Sequence, residues 1–342
     1  MGYLVGTDEA GYGPNLGPLV ISVTVWRVPG DPCGVDLYKL LRKAVSAAPP
    51  KSAAAKGRPA KPAVEACAVA TKVRSPKKVV WADSKTLYRS GEGLGALETG
   101  LLTALGLLSS RPAHWRAAWH ALDPQAAQSL DRQPWHLDYQ SDLPVHADAD
   151  HIQSLTGRSR KACEQAGVSL VAIRSRAVFP EDWNQLLDEH GNKSTVLSLL
   201  TLRLLAESLA ELGDEPVAVV CDKHGGRNSY RPLLQEHVAE FLVEVYGEGQ
   251  EQSVYRWGPS ERRTQVVFCT RAERYLPTAL ASMASKYLRE LAMLAFNDFW
   301  RRHVPGLKPT AGYPLDAGRF KADIAAAQAA LGIDDRVVWR NR

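Results

Sequence analysis

Tyr3-Leu4-Val5-Gly6-Thr7 runs directly into Asp8-Glu9-Ala10-Gly11-Tyr12-Gly13-Pro14, so a short apolar segment meets glycine-rich backbone at two adjacent acids. Glycine lets another backbone come close, and carboxylate oxygens are the hard ligands that Mg2+ or Mn2+ prefer. A strand ending in such a pair suits a site where divalent cations meet a phosphodiester; the plainer alternative is two solvated surface acids. The β-branched run Pro18-Leu-Val-Ile-Ser-Val-Thr-Val-Trp-Arg-Val28 predicts a second strand over 18–28 after a first over 3–7, with the acids in the turn between them.

Further along, Lys77-Lys-Val-Val-Trp-Ala-Asp83-Ser84-Lys85 reads as another strand ending in polar residues, and 93–109 has helical apolar spacing. Strand character returns over 168–177, followed by an amphipathic helix over 193–212. Pro216-Val-Ala-Val-Val-Cys-Asp222 is a continuous apolar run of the kind a buried central strand shows, again ending in an acid. A β segment near 265–269, a long helix over about 278–302 and a short one near 320–331 complete the pattern. Strands mixed with helices in this order predict an α/β fold around one mixed sheet, with no internal repeat. Two stretches stand apart: 44–64 is Ala-, Pro- and Lys-rich and reads as a basic linker, and 110–160 has no sustained periodicity.

With 342 residues the chain can form two average domains or one with large insertions. Its 45% hydrophobic and 23% charged residues are those of a soluble globular protein, and a net charge of +5 favours a polyanionic partner. Five widely spaced cysteines, with no Cys-x-x-Cys pair, suggest neither a disulfide framework nor a zinc site and fit a reducing cytoplasm. The N-terminal residues show no secretory pattern, and no apolar run reaches the roughly 18 residues that a membrane span needs.

Asp8, Glu9 and Asp222 lie at the ends of apolar segments far apart in sequence, and a mixed sheet can gather such ends at one rim. Two divalent ions roughly 4 Å apart at that rim can activate a water and stabilise a leaving oxygen. The competing reading is that each acid caps its own turn.

At this point the chain resembles type 2 ribonuclease H. Asp8-Glu9-Ala10-Gly11-Tyr12-Gly13-Pro14 with Gly17-Pro18-Leu19-Val20 is similar to that family's opening Asp-Glu-Ala-Gly-Arg-Gly-Pro signature. Asp83-Ser84-Lys85-Thr86-Leu87 is similar to its Asp-Ser-Lys-x-Leu segment, and Asp222 to its third acid after a hydrophobic strand. Ala281-Ser282-Met283-Ala284-Ser285-Lys286-Tyr287-Leu288-Arg289-Glu290 resembles its Ala-Ser-x-x-Ala-Lys-x-x-Arg-Asp helix. Gly312-Tyr313-Pro314-Leu315-Asp316 resembles the Gly-Tyr-Pro-x-Asp turn of archaeal and eukaryotic members, and Arg336-Val-Val-Trp339 their basic-aromatic C-terminus.

The resemblance implies a ribonuclease H-like fold: a catalytic domain over 1–304 with two family-atypical insertions at about 30–76 and 110–160, and a substrate-contacting extension over 305–342. It implies two divalent ions, Mg2+ or Mn2+, held by Asp8, Glu9, Asp222 and a fourth acid, for which Glu273 is the nearest candidate although the family has Asp there. Gly11, Tyr12, Gly13, Ser84, Lys85, Lys286, Arg289 and Tyr313 then become substrate-binding residues. The implied activity is hydrolysis of the RNA strand, or of embedded ribonucleotides, in RNA/DNA duplexes, giving 5′-phosphate and 3′-hydroxyl ends. A monomer acting in the cytoplasm is the expected form.

Tyr12 replaces the family's arginine and removes a charge, which keeps open a related nuclease with another substrate, or a silent nucleic-acid-binding paralogue. His224, two residues from Asp222, is a candidate proton carrier or an ordinary loop histidine. The His146, Asp148, Asp150, His151 cluster has ligand chemistry without a zinc spacing and reads as a solvated loop.

Overall fold

The computed structural model describes residues 1–49, 77–88 and 93–341. β1 (Gly2–Ala10) pairs antiparallel with β2 (Leu19–Val28) along its whole length, from Gly2 opposite Val28 to Ala10 opposite Val20. That pairing corrects the sequence reading. Asp8 and Glu9 lie inside the first strand, opposite Ser22 and Ile21, and the turn is the Gly11–Pro18 segment. A second short pair, β3 (Val45–Ser46) with β4 (Val79–Val80), is parallel.

The main sheet adds β5 (Ser169–Val178), β6 (Val217–Asp222), β7 (Glu244–Glu248), β8 (Gln252–Trp257) and β9 (Thr264–Cys269), in the order β5-β2-β1-β6-β9-β8-β7. β5, β2 and β1 alternate in direction; β6 and β9 then run parallel to β1, and β8 and β7 return antiparallel. This is the mixed sheet that the sequence predicts.

Period-two geometry sends alternate side chains to opposite faces. From β2, Val20, Trp26 and Val28 enter one core while Leu19, Ile21, Val23 and Val25 enter the other. The Leu276–His303 helix and the Gly95–Leu107 helix cover the first face, and the Lys193–Leu209 helix the second. With both faces covered, the central strands read as continuous apolar runs.

The 110–160 region, unreadable by periodicity, holds helices at Trp115–Leu122, Ala127–Asp131 and Ala149–Ala166. They are tied down by long-range polar contacts. Trp115 Nε1 donates to Leu291 O at 3.0 Å, and the buried Glu98 carboxylate accepts from the Val145, His146 and Ala147 amides and from the Tyr287 hydroxyl. The C-terminal helix runs from Pro314 to Ala330 and packs on the end of the long helix through Met293, Phe296, Trp300, Phe320 and Ile324. Most of the proposed 44–64 linker and of the 30–76 insertion lies outside the described residues. Among the described residues, no helix is long and apolar enough to cross a membrane.

Candidate active site

Because β6 and β9 run parallel to β1, the C-terminal ends of three neighbouring strands share one rim. Thr7 sits opposite Cys221 and Asp222 opposite Cys269, so Asp8 and Asp222 follow each other into the same corner. Glu273 joins from the Ala272–Arg274 turn just after β9, whose Ala272 amide donates to Asp222 Oδ1 at 3.3 Å. The carboxyl end of adjacent parallel strands is where α/β sheets usually place ligands.

The acids are electrostatically coupled. Desolvation raises the Asp8 carboxyl well above its ordinary range, Glu9 and Asp222 push it further, and a Ser282 hydrogen bond works in the opposite direction. Glu9 is pushed up to about 7, first by desolvation and then by Asp222, with Lys85 opposing. Asp222 is raised by desolvation and by Glu273, against the Ala272 amide and Lys85. Burial alone would lower the Lys85 ammonium; Asp83, Asp8, Glu273 and Asp222 together reverse that and raise it. Lys85 is therefore the cation closest to these acids in effect. It is positioned by the Ser84–Leu87 helical turn, which Asp83 caps by accepting from the Lys85 amide at 3.0 Å.

Hydroxyls from the long helix brace the acids from behind. Ser282 Oγ lies 3.0 Å from Ser84 Oγ, and Ser285 donates to the Asp8 carbonyl at 3.0 Å while lying 2.8 Å from Ser22 Oγ, which in turn lies 2.7 Å from Ser175 Oγ. Ser282 and Ser285 sit inside the quoted helix motif but were not singled out by sequence, since a serine's partner is a tertiary matter.

The remaining predicted residues separate into two groups. Gly11 (φ +91°), Tyr12 and Gly13 form the turn after β1; a Cβ on Gly11 would meet Pro18 O at 2.5 Å, whereas Gly13 faces open space. Tyr12 is half-buried near Glu9, and Tyr313 is half-exposed within electrostatic reach of Arg289 and Tyr88. The second group, Ser84, Lys286 and Arg289, is engaged with the protein's own groups. Arg289 is 1% exposed and its Nη2 donates to Leu16 O and Ala311 O, at 3.1 and 3.0 Å. It ties the glycine turn to the 310–313 segment. Ser84 is buried against Ser282, and Lys286 pairs with Glu290, its ammonium 4.6 Å from the centre of the Tyr88 ring.

The C-terminal strand-like segment has the same bracing role. Arg340 N donates to Asn15 O at 2.8 Å, Asn15 Nδ2 donates to Arg340 O at 3.0 Å, and the buried Arg340 guanidinium donates to Tyr12 O at 3.3 Å. Nothing local in the sequence marks Arg340 as a partner of residues more than three hundred positions away.

His224 is a core residue. It is 1% exposed, its Nδ1 lies 3.1 Å from Ser198 Oγ, and the Tyr230 and Phe268 rings flank it; burial, helped by Arg227, lowers its pKa to about 3. Enclosed in this way it is a packed core histidine with no opening to the solvent, unlike the proton carrier considered from the sequence. In the 146–151 cluster, Asp148 caps the Ala149–Ala166 helix and His146 accepts from the Leu94 amide.

Among the described residues, no three His, Cys, Asp or Glu side chains are grouped as a ready-made metal site. The donor set nonetheless fits a hard divalent cation chemically. Asp8, Glu9 and Asp222 are held at like-charge cost, offset in part by Lys85, the Ser282 hydroxyl and the Glu9, Ala272 and Lys223 amides.

A pH dependence follows. The folded pKa of Glu9 is raised from 4.5 to about 7, so its contribution to stability is fully present below pH 4.5 and is lost as pH rises toward 7. In the presence of a chelator, unfolding midpoints measured from pH 4.5 to 7.5 are expected to fall over that window, and to fall less in Glu9→Gln.

No family model and no curated protein matches the sequence. Solved structures do. RNase HII of Archaeoglobus fulgidus, from a PCNA:RNase HII complex, is 13% identical with a TM-score of 0.42, over 99% of this chain and 94% of that one. Ribonuclease H2 of Pyrococcus horikoshii OT3 is 14% identical with a TM-score of 0.41, over 98% and 92%. Bst-RNase HIII in complex with Mn2+ is 14% identical with a TM-score of 0.39, over 99% of this chain and 65% of that one. The seven-stranded mixed sheet flanked by helices, with an antiparallel β5-β2-β1 half continued by parallel β6 and β9, is an α/β fold of the mixed-sheet class.

Proposed function

We propose that this chain is a divalent-metal-dependent endoribonuclease that hydrolyses the RNA strand, or embedded ribonucleotides, of RNA/DNA duplexes and leaves 5′-phosphate and 3′-hydroxyl ends. The observation that carries the proposal is the gathering of Asp8, Glu9, Asp222 and Glu273 at one sheet rim, where each of the first three carboxyls is raised by another of the acids.

In this reading Asp8, Glu9, Asp222 and Glu273 hold Mg2+ or Mn2+. The bound ions supply charge neutralisation at the phosphodiester and a water of lowered pKa. The protein's own residues do the rest. Lys85 adds positive charge beside the acids. The Gly11–Gly13 turn presents backbone that no side chain shields at Gly13, and such backbone can hydrogen-bond a ribose 2′-hydroxyl, the group that distinguishes RNA from DNA. Tyr313, half-exposed at the start of its helix, is placed to stack on a sugar or base. Arg289 and Arg340 keep that turn in place from below, so the 305–342 segment contributes both a contact surface and a brace.

The test is direct. A labelled DNA duplex with one embedded ribonucleotide and a continuous RNA/DNA hybrid are incubated with Mg2+ or Mn2+. Cleavage 5′ to the ribonucleotide is expected; failure to cut either duplex with either metal overturns the assignment. The second reading, a nuclease for another structured nucleic acid, is favoured by Tyr12 standing in the glycine turn, and cutting of branched DNA alone would establish it.

A further inference from the structure

The turn Gly11-Tyr12-Gly13 carries no charge of its own, yet a cation is present beside it from another element. Lys193, the first residue of the Lys193–Leu209 helix, places Nζ 4.8 Å from the centre of the Tyr12 ring. The corner has further members. A Cβ at Gly225 would lie 3.0 Å from Ser194 Oγ and 3.6 Å from the Tyr12 hydroxyl, so the phenol, the start of this helix and the loop after Asp222 meet there.

Arg227, in the same loop, donates from Nη2 to Thr195 Oγ1 at 3.4 Å, and its buried Nε has no partner. The first amides of the helix are not what the corner offers, because Asn192 Oδ1 already accepts from Ser194 N and Thr195 N, at 2.8 and 3.3 Å. What it offers is two cationic side chains and a phenol from three separate segments. Exposed Gly225 and Gly226 add little bulk beside them, and Tyr12 links the corner electrostatically to Glu9.

We propose that Lys193 and Arg227, with Tyr12 as the platform under the lysine, form a phosphate subsite for a nucleic-acid strand lying across the acids. The subsite binds a backbone phosphodiester next to the reacting one. Cation–π support of an ammonium by tyrosine is modest in energy but fixes its position, which is what a register contact requires. The inference rests on the nuclease reading of the acids.

The test is binding of the embedded-ribonucleotide duplex in Mg2+, in a cleavage-impaired Asp222→Asn background, at several salt concentrations. Each phosphate contact contributes about 0.9 to the slope of log K against log salt on a duplex. Adding Lys193→Gln is expected to reduce the slope by about one contact, Arg227→Gln to act in the same direction, and Lys193→Arg to keep the parent slope. A merely structural lysine would weaken binding without moving the slope. Parent-like slopes and affinities in Lys193→Gln and Arg227→Gln overturn the subsite. A parent that binds neither this duplex nor the hybrid overturns the nuclease reading instead, so the two failures are distinct.

Discussion

Asp222→Asn is expected to remove hydrolysis of both duplexes while leaving the fold intact. Asp222 ends β6 at the shared rim, between Asp8 and Glu273, and its negative charge helps raise the Asp8 and Glu9 carboxyls. An asparagine has the same shape and keeps an oxygen to accept from the Ala272 amide, now at 3.3 Å. It loses the anionic ligand. Metal-supported stabilisation of transition-state charge amounts to several kcal/mol, so the rate is expected to fall by at least about 10³-fold. Stability should move the other way, because removing one like charge relieves Asp8 and Glu9. Single-turnover cleavage and denaturant unfolding of the same preparation check both halves. Retained cleavage would remove Asp222 from the chemistry, and loss of fold would make it a structural residue.

Gly6→Ala is expected to cost about 3 kcal/mol or more, at the upper end for overpacking. Gly6 is in β1, opposite Thr24 on one side and Val220 on the other, where the long helix begins against the strand. A Cβ there would lie 2.2 Å from Thr278 N and 2.3 Å from Pro277 C, both backbone atoms. These atoms are held by Thr24 Oγ1 donating to Pro277 O at 2.8 Å and Thr278 Oγ1 donating to Val220 O at 3.2 Å. The clash therefore cannot relax through one side chain. It must lift the helix start, which carries Ser282 and Ser285 behind Asp8. Gly13→Ala is the control, since nothing lies within 4 Å of a Cβ there. Denaturant midpoints should separate the two variants clearly, and equal midpoints would show that the strand and helix do not pack as closely as described.

Much of the acid site was legible because its local cause is local. Apolar runs ending in Asp222 and at Asp8-Glu9 reflect strands buried on both faces that emerge at one rim, and a continuous run of that kind is visible without knowing its neighbours. Sequence nonetheless puts the acids in the turn, because strand length is set by the partner. β2 pairs with β1 as far as Ala10, and no residue between 7 and 10 announces that. β7 escaped notice for a related reason: it is an edge strand with every residue exposed, so it shows no apolar alternation.

Titratable residues misled where burial decided their role. His224 had the right neighbour in sequence, but Ser198, Tyr230 and Phe268 close around it. Arg289 lies in the helix motif, and its buried Nη2 donates to two backbone carbonyls that no sequence pattern announces.

The sequence by itself determined the α/β class and the main central strands, and it marked three acids near their ends, since hydrophobic periodicity and strand-end chemistry act over a few residues. Only the tertiary structure decided that these acids share one rim with Glu273, that Lys193 stands over Tyr12, and that Arg289 and Arg340 brace the glycine turn. Those relations depend on parallel pairing and on desolvation, which join positions as much as 328 residues apart and leave no local trace in the chain.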